Sequence, residues 1–154
     1  MIEGARFAHT NLIARDWRGL AEFYESVFDC RLVPPERDFS GPLLDAGTGI
    51  PGARLRGVHL RLPGHGPDGP TLEIFHYSEL ADGPRPTVNR PGLGHLAFEV
   101  PSVVDAREQV LLHGGSVVGE VVTLTTQHGD EVTWCYVADP EGNIVELQSW
   151  GQPQ

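Results

Sequence analysis

The sequence predicts an α+β fold of two βαβββ modules, whose strands form a curved, trough-like mixed sheet with the helices on the outside. Three observations lead there. A histidine stands in a strand-like run twice, His9 within residues 7–13 and His95 within residues 92–100. An amphipathic helix follows each run. Each half then closes on a strand that carries a glutamate among apolar residues, Glu73 in 71–75 and Glu146 in 144–147. The chain thus reads as one 154-residue domain with a degenerate internal repeat: a first module over about 5–78, a linker at 79–91 and a second module over about 92–150.

Taken in order, residues 6–14 form the first strand. Asp16 is a helix N-cap, because its carboxylate can accept from the free amides of the first turn. Trp17, Leu20, Ala21, Tyr24, Val27 and Phe28 follow at spacings of three and four and make one apolar stripe. Residues 31–33 start a second strand, which Pro34 and Pro35 disturb or end. The stretch 36–52, rich in Pro, Gly and Asp, reads as loop. From 54 to 62 the chain alternates, with Leu55, Gly57, His59 and Arg61 on one side and Arg56, Val58, Leu60 and Leu62 on the other. A Gly/Pro turn over 63–70 leads to the fourth strand, 71–77.

The second module repeats this order with shorter loops. Leu96, Phe98 and Val100 alternate onto a core face, which leaves His95, Ala97 and Glu99 on the other. Ser102 is an N-cap with Asp105 three residues on. Val103, Ala106, Val110 and Leu111 form the buried stripe, and Gly114-Gly115 stops the helix. Residues 116–123 are β-branched and strand-like, 127–130 make a hairpin turn, 131–138 return, 139–142 turn, and 143–150 finish.

Composition narrows the function. The net charge is −10 and every non-histidine base is arginine. A nucleic-acid-binding surface is not expected. Without lysine there is neither a Schiff base nor a lysine-bearing phosphate loop. No apolar run is long enough to cross a membrane and no leader is visible, so membrane association is not expected. Cys30 and Cys135 lack motif partners and read as reduced thiols in a cytoplasmic protein. The two G-x-G-x-x-G matches at 47–52 and 64–69 contain proline, open no helix and read as turns.

His9, Glu73, His95 and Glu146 are the expected metal ligands. Each glutamate sits in an apolar strand, where an unpaired carboxylate would be costly, and a cation or a strong partner removes that cost. Two imidazoles and two carboxylates suit Zn, Ni, Co, Mn or Fe(II), with a position left open for substrate. Taken singly, Glu73 can instead pair with Arg56 or Arg61, and Glu146 can be an edge-strand charge. His59, His76 and His128 read as structural, exposed or lining, Phe75 and Trp134 as walls, and Arg90 as a surface residue or anion ligand.

The stretches His-Thr-Asn-Leu…Phe-Tyr-Glu-Ser-Val-Phe (9–28), Leu-Glu-Ile-Phe (72–75), Gly-Leu-Gly-His-Leu-Ala-Phe-Glu-Val (92–100) and Asp-Pro-Glu-Gly-Asn-Ile-Val-Glu-Leu (139–147) resemble the vicinal oxygen chelate superfamily, the group of glyoxalase I, methylmalonyl-CoA epimerase, extradiol dioxygenases and bleomycin resistance proteins. The resemblance implies paired βαβββ modules, a divalent metal at the four residues above, a substrate offering two adjacent oxygens, and a homodimer. Ile13 stands where glyoxalase I commonly has an arginine for glutathione, and Glu73 where the epimerase typically has glutamine. The expected activity is metal-assisted proton transfer of the lyase or isomerase type, with Glu146, or alternatively Glu73, as the catalytic base. An Fe(II) extradiol-type dioxygenase and a non-catalytic small-molecule binding or resistance protein are the alternatives.

Overall fold

A computed structural model describes residues 1–151. The chain divides into two compact units, Met1–Asp82 and the remainder from Gly83 on. In the first unit β1 (His9–Ile13), α1 (Trp17–Phe28), β2 (Arg31–Ser40), α2 (Pro42–Thr48), β3 (Arg54–Arg61) and β4 (Thr71–Tyr77) follow one another. The sheet order is β1-β4-β3-β2, with β1 parallel to β4 and the other pairs antiparallel. In the second unit β5 (Leu96–Glu99), α3 (Val103–Leu112), β6 (Ser116–Val117), β7 (Val122–Thr125), β8 (Glu131–Ala138) and β9 (Ile144–Gly151) form the order β5-β9-β8-β6, and β7 also pairs with β8. The architecture is the α+β class expected, with two open sheets and few helices.

The local signals at both helix starts act as the sequence indicates. The Asp16 carboxylate accepts from the Gly19 amide at 3.1 Å, and Ser102 Oγ accepts from the Asp105 amide at 3.3 Å. Gly19 has a purpose beyond permissiveness, since a Cβ there would stand 2.6 Å from Asp16 Oδ2 and push the cap away. Helix α1 buries Trp17, Leu20, Ala21, Phe23, Tyr24 and Phe28. It packs on β3 and β4, where Val58, Leu60, Leu72 and Ile74 are fully buried. Burying each such aliphatic side chain contributes roughly 1.5–3 kcal/mol before chain entropy is charged against it. In the second unit α3 lies on β8 and β9, over Cys135, Val137, Val145 and Leu147. In each sheet the helix therefore takes one face, and the alternate residues fall on the other.

Several boundaries differ from the sequence reading. β2 runs on through Pro34 and Pro35, which are joined by a cis peptide, and its register shifts between Val33 and Arg37. It is the edge strand of its sheet, so the amides missing from proline leave no neighbour unpaired. Residues 36–52 are not one loop: they hold the end of β2 and the helix α2, with turns at 41 and 49–52. Pro42 starts that helix, and Gly49 closes it in the left-handed conformation (φ 72°). His95 precedes its strand instead of lying in it. The expected strand at 116–123 is two short ones, and Leu111 points outward, leaving Val103 and Val110 as the buried residues of α3. Among the described residues no helix is long and apolar enough to cross a membrane.

Candidate metal-binding residues on the two sheets

Register decides which side chains meet. In the first unit β1 and β4 align Asn11 with Glu73, and β3 and β4 align His59 with the same Glu73. Glu73 is therefore the middle of a row across three strands, on the face turned away from α1. Only 8% of it is exposed. His9 Nε2 lies 3.4 Å from Glu73 Oε2, Asn11 Nδ2 donates to that oxygen at 3.4 Å, and His59 Nε2 lies 3.2 Å from Oε1. The carboxylate is thus engaged on both oxygens. Arg56 pairs with Asp38, and Arg61 donates to the Gly69 carbonyl, so neither arginine is the partner of Glu73.

His59 is a residue that the sequence reading left as structural, exposed or lining and did not place among the ligands. Its ring meets Phe75 edge-on at 5.6 Å and stands 6.5 Å from His9. Burial holds its imidazole below the ordinary histidine range, and Arg37, His9 and Arg61 act in the same direction against the opposing pull of Glu73. Phe75 can cover this row because its cross-strand neighbour is Gly57. A Cβ at 57 would fall 2.0 Å from the Ile74 carbonyl and 2.4 Å from the Phe75 ring.

The second unit repeats the pattern with different chemistry. β5, β9 and β8 align Ala97, Glu146 and Tyr136. His95 Nε2 lies 3.2 Å from Glu146 Oε2. Tyr136 hydrogen-bonds Glu146; burial first, then that carboxylate, raises its phenol above the usual range. The His95 ring meets Tyr136 tilted and the Trp134 ring meets it edge-on, with centroids 5.1 and 5.0 Å away.

These distances test the fit of a divalent cation. Donors bound to one ion at about 2.1 Å, at square or tetrahedral angles, stand about 3.0–3.4 Å apart. Both His–Glu pairs, at 3.4 and 3.2 Å, have that spacing. His9 and His59, in contrast, sit on opposite oxygens of one carboxylate and do not converge. Among the described residues no group of three or more His, Cys, Asp and Glu forms a ready cation cluster. What each unit offers is one imidazole–carboxylate pair, and the donor chemistry of the two pairs fits a borderline divalent metal.

The other sequence candidates fall elsewhere. His76 Nδ1 contacts the Ala14 carbonyl at 2.9 Å, His128 is exposed, and Arg90 donates to the Pro84 and Arg85 carbonyls within its own loop. Cys30 is 2% exposed, and burial, reinforced by Asp29 and Glu25, pushes its thiol up to about 12. Such a thiol is no nucleophile at neutral pH.

The family model for the Glyoxalase/Bleomycin resistance protein/Dioxygenase superfamily matches residues 6–147. Among solved structures, a glyoxalase family protein from Bacillus cereus is similar at a TM-score of 0.82 and 18% identity, over 99% of both chains. A glyoxalase family protein from Enterococcus faecalis is similar at 0.60 and 20%, over 96% of this chain and 99% of that one. A glyoxalase I mutant from Zea mays is similar at 0.58 and 17%, over 92% of this chain and 45% of that one. No curated protein matches the sequence. The motifs around both histidines and both glutamates lie inside the matched span, and the chain belongs to the glyoxalase/bleomycin resistance protein/dioxygenase superfamily.

Proposed function

We propose that the protein is a divalent-metal-dependent enzyme that transfers a proton on a small substrate held through adjacent oxygens, in the manner of glyoxalase I or an epimerase. The observation that carries this reading is the repeated His–Glu pair at ligand spacing, at matching places in both units. In this reading His9 and Glu73 supply two donors and His95 and Glu146 the other two. When bound, the cation supplies Lewis acidity towards negative charge building on a substrate oxygen.

The protein's own groups then divide the work. Glu73 is hemmed in by Asn11, His9 and His59, which suits a carboxylate that must stay where it is. Glu146 has a more exposed side chain, 17% against 10%, and its neighbours are His95 and Tyr136. It is the better placed of the two to take a proton from carbon and return it. The Trp134 and Tyr136 rings beside it supply an apolar wall that keeps water from a carbanionic substrate.

A second reading has its own support. Because Glu73 accepts from Asn11 on one oxygen and has the His59 ring 3.2 Å from the other, it can stay off the metal, leaving His9, His95 and Glu146 as the two-His-one-carboxylate set of an Fe(II) oxygenase. Metal analysis of the purified protein, followed by assays on methylglyoxal–thiol adducts, acyl-CoA epimers and catechols with and without oxygen, separates the two. Turnover that survives anaerobiosis supports proton transfer, and turnover that stops when oxygen is removed supports the oxygenase. A protein that binds no divalent metal overturns both.

A further inference from the structure

Several arginines of the first unit are matched with carboxylates. Arg18 pairs with Glu36, Arg31 with Asp29, and Arg54 and Arg56 with Asp38. Arg6 and Arg61 are different. Arg61 gives one N–H to the Gly69 carbonyl, and among the described residues neither guanidinium has a carboxylate partner. They line the same cavity, of about 250 Å³, with Thr71 between β3 and β1. Asp68 is the one acidic residue lining it. In a chain of net charge −10, with 21 acids to choose from, two unmatched guanidiniums around one cavity stand out.

The register places this cavity beside the Glu73 row. Arg61 lies across from Thr71, and Thr71 across from His9. Thr71 is two residues before Glu73 on β4, so both fall on one face, about 7 Å apart along the strand. Arg61 is likewise two residues beyond His59, and its charge reaches that ring, as does that of Arg37. A guanidinium presents parallel N–H groups that match a carboxylate or phosphate bidentately.

We propose that the cavity between Arg6, Arg61 and Thr71 is an oxyanion subsite that takes a carboxylate or phosphate group of the substrate. The spacing then specifies a short acid or phosphate ester, with its reacting oxygens about two strand residues from its charged end. That the anion belongs to the reacting molecule rests on the function proposed above; the subsite itself does not.

Malonate and inorganic phosphate, titrated separately into the full chain at constant ionic strength with chloride as the control, test this through amide shifts. Saturable shifts at Ala8, Gly69 and Thr71 are expected with at least one of the two probes, and which one responds identifies the group recognised. Arg61→Gln should weaken that binding at least about tenfold, the loss of one charge-assisted hydrogen bond. Arg6→Gln, which leaves the sheet untouched, should also weaken it and serves if Arg61→Gln does not fold. Shifts that never saturate, or that are as strong in both variants as in the wild type, overturn the subsite. Because the titration requires neither metal nor turnover, a wild-type protein that binds malonate or phosphate but no metal overturns the functional reading and leaves the subsite standing.

Discussion

The two units place the same pair of side chains at the same point of the same topology and surround them differently. In the first unit Glu73 is crossed by Asn11 on one side and His59 on the other. In the second Glu146 has Ala97 and Tyr136 in those places. Beyond the row, the first sheet presents Arg37 and Arg61 on the same face, whereas the second presents Trp134 and Gln148. One half is thus polar and cationic with its carboxylate held on both oxygens; the other is aromatic with its carboxylate less constrained. Under the proposed function this is a division of labour: the repeat would supply two equivalent donor pairs, and the residues next to them would decide which carboxylate stays and which moves.

The most direct way to break that comparison is to neutralise the two glutamates in turn. Glu146→Gln should lower turnover by about 10²–10⁴-fold, the range for a lost general base, with the fold intact by circular dichroism. Glu73→Gln should act first on metal affinity and less on the rate of the loaded enzyme. If Glu73→Gln proves the more damaging to kcat at saturating metal, the roles are reversed.

The flanking residues sharpen it. His59→Ala leaves Glu73 Oε1 buried with its imidazole neighbour removed, which should cost about 1–3 kcal/mol in urea unfolding. Tyr136→Phe removes only the hydroxyl from a more accessible carboxylate and should cost about 1 kcal/mol or less. Equal losses would mean that the two glutamates are held alike. Gly57→Ala probes the cover over the same row: a Cβ 2.0 Å from the Ile74 carbonyl forces the strands apart and should destabilise by about 1–3 kcal/mol.

The parts of this arrangement that were legible in the sequence are those written in short-range chemistry. Asp16 and Ser102 announce their helices because each cap is a side chain reaching an amide three residues away. The alternation of 54–61 and the apolar flanks of Glu73 and Glu146 show their faces directly. β2 and α2 were illegible because proline was read as a stop, although on an edge strand it removes no needed hydrogen bond and at a helix start it costs none. His59 was missed for a different reason. Its partner is set by the register across a hairpin, and one strand's alternation says nothing of that. Counting outward from the middle of the 63–70 turn would have put it within one residue of Glu73. The same count from the 139–142 turn brings Tyr136 within one residue of Glu146.

The smallest effect expected at neutral pH belongs to Cys30, which lies under the first unit's helix and takes no part in either pair. Its thiol stays protonated to about 12 in the folded chain, against 9.0 when unfolded, because burial and the nearby Asp29 and Glu25 all disfavour the thiolate. A raised folded value means that the unfolded chain loses its proton first. The contribution to stability is therefore intact below about pH 9 and falls as pH climbs towards 12, by up to about 1.4 kcal/mol per pH unit. Urea unfolding at pH 8, 9.5 and 10.5 should show wild type losing stability faster than Cys30→Ala over both steps, and more steeply over the second. If the two lose stability in parallel throughout, the thiol ionises as readily inside the fold as outside it. Residue 30 would then not be sealed from water, and the packing of α1 that supports the Glu73 row would need revision.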